Sequence, residues 1–285
     1  REIAAELNIR EKKLSFAGLK DRQAVTEQYV SAENVSKEKL EKIRIKDIEI
    51  EYLGQGKERM NSSMLKGNNF KIVMRNLEKA LEPIKFIPNY FDEQRFGKRC
   101  SNHVAGRALV KKDFKEACSQ MGIKAEGNDY IKELIKDRKL LKLCFNAYQS
   151  FLFNKALSGY VRKHYDSVDV GCCFGKLAFA RLSKVNNFNL PLIHFDTELK
   201  GEIKMIYENI LDKEGIRKSD FLIRQLPNLV QLSPMRLAFV AVKEFTSKVS
   251  GDELNKGKKK QSVSFRLPKG SYATIVLKAM EALQA

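Results

Sequence analysis

The sequence predicts an α+β protein with a mixed, mainly antiparallel sheet. Segments with the period of a strand and segments with the period of a helix are interleaved along the chain. They lack the regular strand, helix, strand cadence of a doubly wound parallel sheet. The composition, with 43% hydrophobic residues, 31% charged residues, 16 Gly and 6 Pro, excludes collagen, disordered and low-complexity chains. The length fits one large domain or two ordinary ones.

Strands are predicted where apolar and polar residues alternate or β-branched residues cluster. The cleanest case is a segment in which Ile48, Ile50 and Tyr52 alternate with charged residues, the period of a half-buried strand. A polar, lysine-rich stretch near the end is typical of an exposed hairpin tip and runs from 251 to 260. The predicted strands are 25–31, 45–53, 70–75, 237–245 and 262–267.

Helical spacing is clearest where Tyr148, Phe151 and Leu152 fall on one face. Near the end of the chain, Pro268 begins a turn in which Ser271 is a candidate N-cap for a closing helix. The predicted helices are 37–43, 104–121, 131–143, 147–161, 202–211 and 273–283.

The charge balance points to a polyanionic partner. Subtracting 35 acidic from 53 basic side chains leaves a net charge of +18 over 285 residues. Nucleic acid is favoured over an anionic membrane surface because no basic amphipathic helix with exposed aromatic residues is found. No apolar run approaches the roughly 20 residues needed to cross a bilayer. We expect a cytoplasmic protein that does not associate with a membrane.

The cysteines and histidines do not indicate a metal site or a hydrolase. The five cysteines are scattered and lack paired CxxC spacing, which argues for reduced intracellular thiols. The adjacent Cys172 and Cys173 are expected to pack in a core or strand. His103, His164 and His194 are far apart, without a nucleophile in a recognisable elbow. The cysteines are Cys100, Cys118, Cys144, Cys172 and Cys173.

The densest group of reactive side chains lies at 15–26. It places Asp21 between Lys20 and Arg22, shortly after Gly18, which allows a sharp turn. The two flanking cations favour the ionised carboxylate that a nucleophile or general base requires. The alternative is a solvated Lys-Asp-Arg turn without a chemical role.

A second block, residues 65–70, places Asn68 close to Phe70 at the start of a strand. An amide can bond a base edge and a ring can stack on its face, which suits a splayed nucleotide. The alternative is an ordinary Gly-Asn-Asn turn with the phenylalanine in the core.

A third block, residues 88–97, interleaves aromatic rings with Asn89 and Arg95. Stacking surfaces beside hydrogen-bonding and cationic groups are typical of single-stranded RNA recognition. The alternative is a buried aromatic loop in which Arg95 pairs with Asp92 or Glu93.

Five blocks, in this order, resemble the TruD family of tRNA pseudouridine synthases. The block around Asp21 is similar to the signature around the catalytic aspartate of that family. The family normally carries more residues before this block than the fourteen that precede Ser15, and a longer segment before Pro88, so residues are expected to be missing at both places. The matching blocks are residues 16–21 with 24–26, 65–68 with 70, 88–91 with 94–97, 146–154 and 267–274.

The resemblance implies the pseudouridine synthase fold, with a mixed, mainly antiparallel sheet. It also implies a catalytic domain formed by 1–142 and 233–285. A helical TRUD-type domain is expected to be inserted at 143–232, with an RNA cleft between the two domains.

The resemblance also implies roles for individual residues. Asp21 corresponds to the nucleophile, Phe70 to the aromatic residue that stacks on the target base, and Asn68 to a positioning group near the aspartate. Tyr272 occupies a position in the cleft where the family usually has an aromatic residue. The predicted substrate-binding residues are Lys20, Asn68, Phe70, Asn89, Arg95 and Tyr272.

The implied activity is isomerisation of uridine to pseudouridine in tRNA, at position 13 of the D arm. It needs no cofactor and no metal, because a carboxylate can start it by attacking C1′ or by removing a proton from C2′. The expected partner of this monomeric enzyme is tRNA. The alternative is a catalytically silent RNA-binding module or RNA chaperone, and the presence of Asp21 in its signature favours catalysis.

Overall fold

The computed structural model describes residues 1–18, 20–21, 23–125, 127–229 and 234–284. The chain divides into two compact units, Arg1–Asn68 and Asn69–Ala285. Leu19 and Arg22, which belong to the block around Asp21, lie outside the described residues.

The first unit is built from short elements. The strands β1 and β2 pair antiparallel, and β2 begins at Val30, so the strand predicted from residue 25 is shorter than expected. The predicted helix at 37 is confirmed, and the Ser36 hydroxyl caps it by accepting a hydrogen bond from the Lys39 backbone N–H at 3.4 Å. The elements are α1 (Glu2–Glu6), β1 (Leu14–Phe16), β2 (Val30–Ala32) and α2 (Lys37–Glu41).

The strand predicted at 45–53 is wrong, although its pattern of burial is right. The three alternating apolar residues are half-buried and the charged residues between them are exposed. The backbone instead forms an isolated bridge between Ile45 and Ile48, and Asp47 turns it with a φ of 62°. Alternation indicates a half-buried segment, whereas a strand also needs a hydrogen-bonded partner.

The second unit contains the larger helices and a three-stranded sheet. In this sheet, β11 (Lys259–Pro268) lies between β10 (Lys243–Gly251) and β3 (Gly67–Leu77), whose first two residues belong to the first unit. Antiparallel pairs join β4 with β9, β5 with β6 and β7 with β8. This arrangement confirms the predicted α+β class. The elements are β3 (Gly67–Leu77), β4 (Phe86–Pro88), α3 (Asn102–Val110), α4 (Phe114–Met121), α5 (Tyr130–Lys136), α6 (Arg138–His164), β5 (Ser167–Cys172), β6 (Gly175–Ala180), β7 (Asn189–Pro191), α7 (Gly201–Glu214), β8 (Met235–Leu237), β9 (Phe239–Ala241), β10 (Lys243–Gly251), β11 (Lys259–Pro268) and α8 (Ala273–Ala282).

Helix α6 is the centre of the core of the second unit, and it contains the helix predicted at 147–161. Its 27 residues begin after Asp137, whose carboxylate accepts a hydrogen bond from the Leu140 N–H at 2.9 Å. Helix α3 packs so closely on α6 that a Cβ at Gly106 would lie 2.2 Å from the Cys144 carbonyl oxygen, so only glycine fits. No helix among the described residues is both long and apolar enough to cross a membrane.

The helix predicted at 104–121 is two helices. Helix α3 ends at Val110, and Lys112 turns the chain with a φ of 62° before α4 begins. Asp113 caps α4, because its side chain accepts a hydrogen bond from the Glu116 N–H at 3.0 Å. Both helices contribute to the same core cluster, so the apolar pattern continues across the break and hides it.

Cys100 and Cys173 form a disulfide, so the prediction of five reduced thiols is wrong. The two residues are separated by 73 positions in sequence, yet their Cα atoms lie 6.0 Å apart. Folding brings the tip of the β5–β6 hairpin to the segment after β4, where the Cys173 N–H donates to Glu93 at 3.1 Å. Sequence spacing does not reveal a pairing that tertiary packing creates.

The serine cap predicted for the closing helix is also wrong. Helix α8 follows Tyr272 and has no side-chain cap. The Ser271 hydroxyl donates instead to the side-chain oxygen of Asn89 at 3.1 Å. The turn before α8 is therefore tied to the segment after β4.

Candidate active site

Two predicted site residues from separate blocks meet next to Asp21. The Lys20 ammonium group donates to the side-chain oxygen of Asn68 at 2.8 Å. Lys20 is half-buried, and the Asp21 side chain is exposed. A charged donor makes a stronger hydrogen bond than a neutral one, so this contact fixes the residue that precedes the carboxylate. The first unit thus brings Lys20, the neighbour of Asp21, to Asn68 of the second block.

The strand that leads into this block is held by Arg59. Its Nε donates to the Ser15 hydroxyl at 3.0 Å and forms an ion pair with Glu33 at 2.7 Å. Its Nη2 also donates to the Lys12 carbonyl. One guanidinium therefore joins β1 to two other segments of the first unit.

Phe70 lies on β3 in the second unit. It is half-buried, and its ring centroid lies 5.7 Å from that of Phe265 on β11. Burial alternates along β3, so Phe70 shares a face with Ile72 and the buried Met74. The ring has a packing partner and keeps an exposed part. Its role in stacking on a base stays a prediction.

Asn89 is buried at the centre of a hydrogen-bonded group in the second unit. Its side-chain N–H donates to the Leu237 carbonyl at 3.0 Å. Arg236 donates through Nε to the Asn89 carbonyl at 2.9 Å and through Nη2 to its side-chain oxygen at 2.7 Å. Arg236 also donates to the Gly270 carbonyl at 2.9 Å, which fixes the turn before Tyr272.

Arg95 and Tyr272 both lie near Phe91. The Arg95 guanidinium carbon is 5.5 Å from the Phe91 centroid, and the Tyr272 ring is 6.3 Å from it in an edge arrangement. Burial lowers the pKa of Arg95. Burial raises the pKa of Tyr272 although the charges of Arg95 and Arg236 oppose this, so the phenol is protonated at neutral pH.

The ion pair proposed as an alternative for this loop, between Arg95 and Asp92 or Glu93, does not form among the described residues. The two acids pair with Lys278 on α8 instead, at 2.8 and 3.5 Å. Burial lowers the pKa of Lys278, but the hydrogen bonds and charges of Asp92 and Glu93 together outweigh burial and raise the pKa overall. Arg95 donates to the Ser150 hydroxyl at 3.2 Å, a neutral partner.

Sequence reasoning missed Arg236. A usable signal was present, because Arg236 is the one charged residue in the otherwise apolar run 235–242. A charge in an apolar, strand-like segment is retained where it has hydrogen-bonding partners. Here those partners are Asn89 and Gly270.

The chain is similar to known proteins over nearly its whole length. Residues 1–137 and 177–280 match the family model described as tRNA pseudouridine synthase D (TruD). The probable tRNA pseudouridine synthase D of Thermococcus sibiricus is 30% identical over 362 residues, which cover 98% of this chain and 84% of that protein. The probable tRNA pseudouridine synthase D 2 of Methanocaldococcus jannaschii is 29% identical over 348 residues, which cover 97% of this chain and 80% of that protein.

A solved structure shows the same fold. The crystal structure of the putative tRNA pseudouridine synthase D from Methanosarcina mazei matches with a TM-score of 0.69 and 24% identity. The match covers 99% of this chain and 85% of that one. The predicted pseudouridine synthase fold is thereby confirmed. The chain belongs to the tRNA pseudouridine synthase D family. Pseudouridine synthases are isomerases, so the predicted enzyme class is confirmed as well.

Proposed function

We propose that this protein isomerises uridine to pseudouridine in tRNA, at position 13 of the D arm, with Asp21 as the nucleophile. The contact between Lys20 and Asn68, directly before Asp21, is the observation that carries the proposal. Two blocks that resemble the family meet there. The contact supports the proposed role because it holds the segment around an exposed carboxylate in place.

The chemistry requires a carboxylate and no redox step. The glycosidic bond between C1′ and N1 breaks, the uracil turns, and a bond forms between C1′ and C5. A proton leaves C5 and N1 gains one, so substrate and product contain the same atoms. Asp21 starts the reaction either by attacking C1′ or by removing the proton from C2′.

The uridine must leave its stack before Asp21 can reach the sugar. Extruding a base costs a few kcal/mol, which stacking in the pocket and contacts to phosphates offset. The net charge of +18 supports such contacts, because Lys and Arg bind the backbone without reading its sequence. Phe70 is the proposed stacking residue.

The remaining expectations are proposals too. Lys20, Asn68, Asn89, Arg95 and Tyr272 are the proposed substrate-binding residues. The monomeric state, the cytoplasmic location and the inserted domain at 143–232 stay predictions.

Replacing Asp21 by asparagine tests the nucleophile. Asp21→Asn keeps the shape of the side chain and removes the charge, so the rate of pseudouridine formation is expected to fall at least about 1000-fold. The affinity for tRNA is expected to stay within a few fold, because phosphate contacts provide most of it. Single-turnover assays and filter binding with an unmodified tRNA transcript measure the two quantities.

Asp47→Asn is the matched control, since Asp47 is another exposed aspartate of the first unit. We expect it to leave the rate of isomerisation unchanged. Turnover by Asp21→Asn at the wild-type rate would contradict the assignment. Tight tRNA binding by the wild-type protein without any product would favour the RNA-binding module instead.

A further inference from the structure

Two arginine side chains of the second unit approach one aromatic ring. The guanidinium carbon of Arg236 lies 4.1 Å from the centroid of Phe91, and that of Arg95 lies 5.5 Å from the same centroid. Arg236 also lies 5.7 Å from the centroid of Phe153. Two cations therefore share one partly buried, largely aromatic environment.

The groups that bind these guanidiniums are neutral. Arg95 donates to the hydroxyl of Ser150, and Arg236 donates to the carbonyls of Asn89 and Gly270 and to the Asn89 side chain. Within the described ranges, neither arginine forms an ion pair with a carboxylate. The two terminal nitrogens of Arg95 make no hydrogen bond to any residue that the structure describes, so their N–H groups can bind a ligand.

The two acidic side chains that precede Arg95 in the same loop have another partner. Asp92 accepts hydrogen bonds from Lys278 and Thr274, and Glu93 pairs with Lys278 as well. Moving either acid to Arg95 would weaken the pairing of a partly buried lysine. Asp92 and Glu93 therefore do not neutralise the positive charge of the two arginines.

Burial makes this positive charge unfavourable. Burial lowers the pKa of Arg236 to about 10; Tyr272 opposes this effect, and the charge of Arg95 adds to it. Burial likewise lowers the pKa of Arg95. Partly desolvated like charges cost free energy until an anion binds between or beside them.

We infer that Arg95 and Arg236 form a binding site for a phosphodiester group of RNA, with the Tyr272 hydroxyl as a neighbouring donor. A planar guanidinium matches two phosphate oxygens and is weakly hydrated, which suits a site that excludes part of the water. Arg236 is held in place by Asn89 and Gly270, and Arg95 provides the unused N–H groups. RNA as the source of the phosphate rests on the proposed function.

The test measures binding of an unmodified tRNA transcript at several KCl concentrations. Arg95→Gln is expected to weaken binding about 10-fold at moderate salt, and to reduce the slope of log K against log salt by about 1. The loss is expected to be similar for tRNAs of different sequence, because a phosphate carries no base information. Arg95→Gln breaks a single described side-chain hydrogen bond, so it is the variant least prone to unfold.

Arg236→Gln and the double variant complete the series. If both arginines bind one phosphate group, the loss in the double variant is smaller than the product of the two single losses. Arg224→Gln is the control, because it removes one positive charge from an exposed arginine elsewhere in the second unit. Thermal unfolding of each variant reports whether it is folded. If Arg236→Gln does not fold, the test is decided by Arg95→Gln.

The inference is overturned if Arg95→Gln binds tRNA with the affinity and the salt slope of Arg224→Gln. Binding is measured without turnover, so this outcome is separate from the fate of the proposed function. If the wild-type protein forms product and Arg95→Gln has no effect on binding, only the phosphate site is rejected. A clear effect of Arg95→Gln in a protein that forms no product supports the site and rejects the isomerase proposal.

Discussion

Single side chains join parts of the sequence that lie far apart. Lys20 contacts Asn68 across 48 residues, and Arg236 contacts Asn89 across 147. The resemblance predicts three of these four residues as site residues from their motifs. It does not predict their contacts, because hydrogen bonds between distant segments depend on how those segments pack. Arg236 belongs to none of the five blocks.

At the residue scale, Phe70→Ala is expected to slow isomerisation about 10- to 100-fold and to change tRNA affinity by no more than about threefold. Stacking on an extruded base contributes about 1–3 kcal/mol, and it acts after the tRNA has bound. Single-turnover kinetics and equilibrium binding with the same transcript measure the two effects.

Phe245→Ala is the control for this prediction. The Phe245 ring stacks on Phe265 with centroids 6.2 Å apart, so its removal takes a comparable contact from the ring that supports Phe70. We expect its rate of isomerisation to match the wild type. Equal losses in the two variants, or equal losses of rate and affinity in Phe70→Ala, would assign Phe70 a structural role only.

At the element scale, the sequence predicts strands that pair with another strand more accurately than segments that have no such partner. Strands β3 and β11 form where the apolar pattern indicates, because each lies in the three-stranded sheet. The single strand predicted at 237–245 is wrong, because the chain there forms the end of β8, all of β9 and the start of β10. The segment 45–53 has an equally clear pattern but no strand. Periodicity reports which side chains are buried, whereas pairing depends on a neighbour that a local pattern does not contain.

The tip of the β10–β11 hairpin depends on Asp252. This carboxylate accepts hydrogen bonds from the Asn76 N–H at 2.9 Å, from Arg75 at 2.8 Å and from the Leu254 N–H at 3.0 Å. Burial raises its pKa, but the donors, led by the Asn76 N–H, outweigh burial and hold the pKa below its ordinary value. The tip is thus joined to β3.

We expect Asp252→Asn to lower the midpoint of thermal unfolding at pH 7 by about 3–5 °C. Since the folded state lowers the pKa of Asp252, its stabilising effect is complete above about pH 4 and is lost as the pH falls through the folded pKa. The difference between wild type and variant should therefore shrink below pH 4. Thermal unfolding followed by circular dichroism from pH 7 to pH 3 measures it.

Glu244→Gln is the control for the hairpin. Glu244 lies on β10, the strand that ends just before Asp252, and forms an exposed pair with Arg266 at 3.4 Å, so its loss is expected to change the midpoint very little. An Asp252→Asn midpoint equal to that of Glu244→Gln at pH 7 would refute the role of Asp252. A difference from wild type that is unchanged at pH 3 would refute the ionic mechanism.

At the scale of the whole molecule, the order of the motifs was sufficient to predict the family, and the interleaved strand and helix periods were sufficient to predict the fold class. They did not predict the Cys100–Cys173 disulfide, because it depends on a contact between segments 73 residues apart. The alignment with the Thermococcus sibiricus protein runs over 362 residues, more than the 285 of this chain. That relative therefore carries internal segments that have no counterpart here.

The most direct measurement is pseudouridine mapping, at nucleotide resolution, of an unmodified tRNA transcript incubated with the purified protein. The expected result is complete conversion of uridine 13 in the D arm, with no metal or cofactor added. A transcript with cytidine at that position should gain no pseudouridine. The account is contradicted if uridine 13 stays unmodified while the protein binds the tRNA.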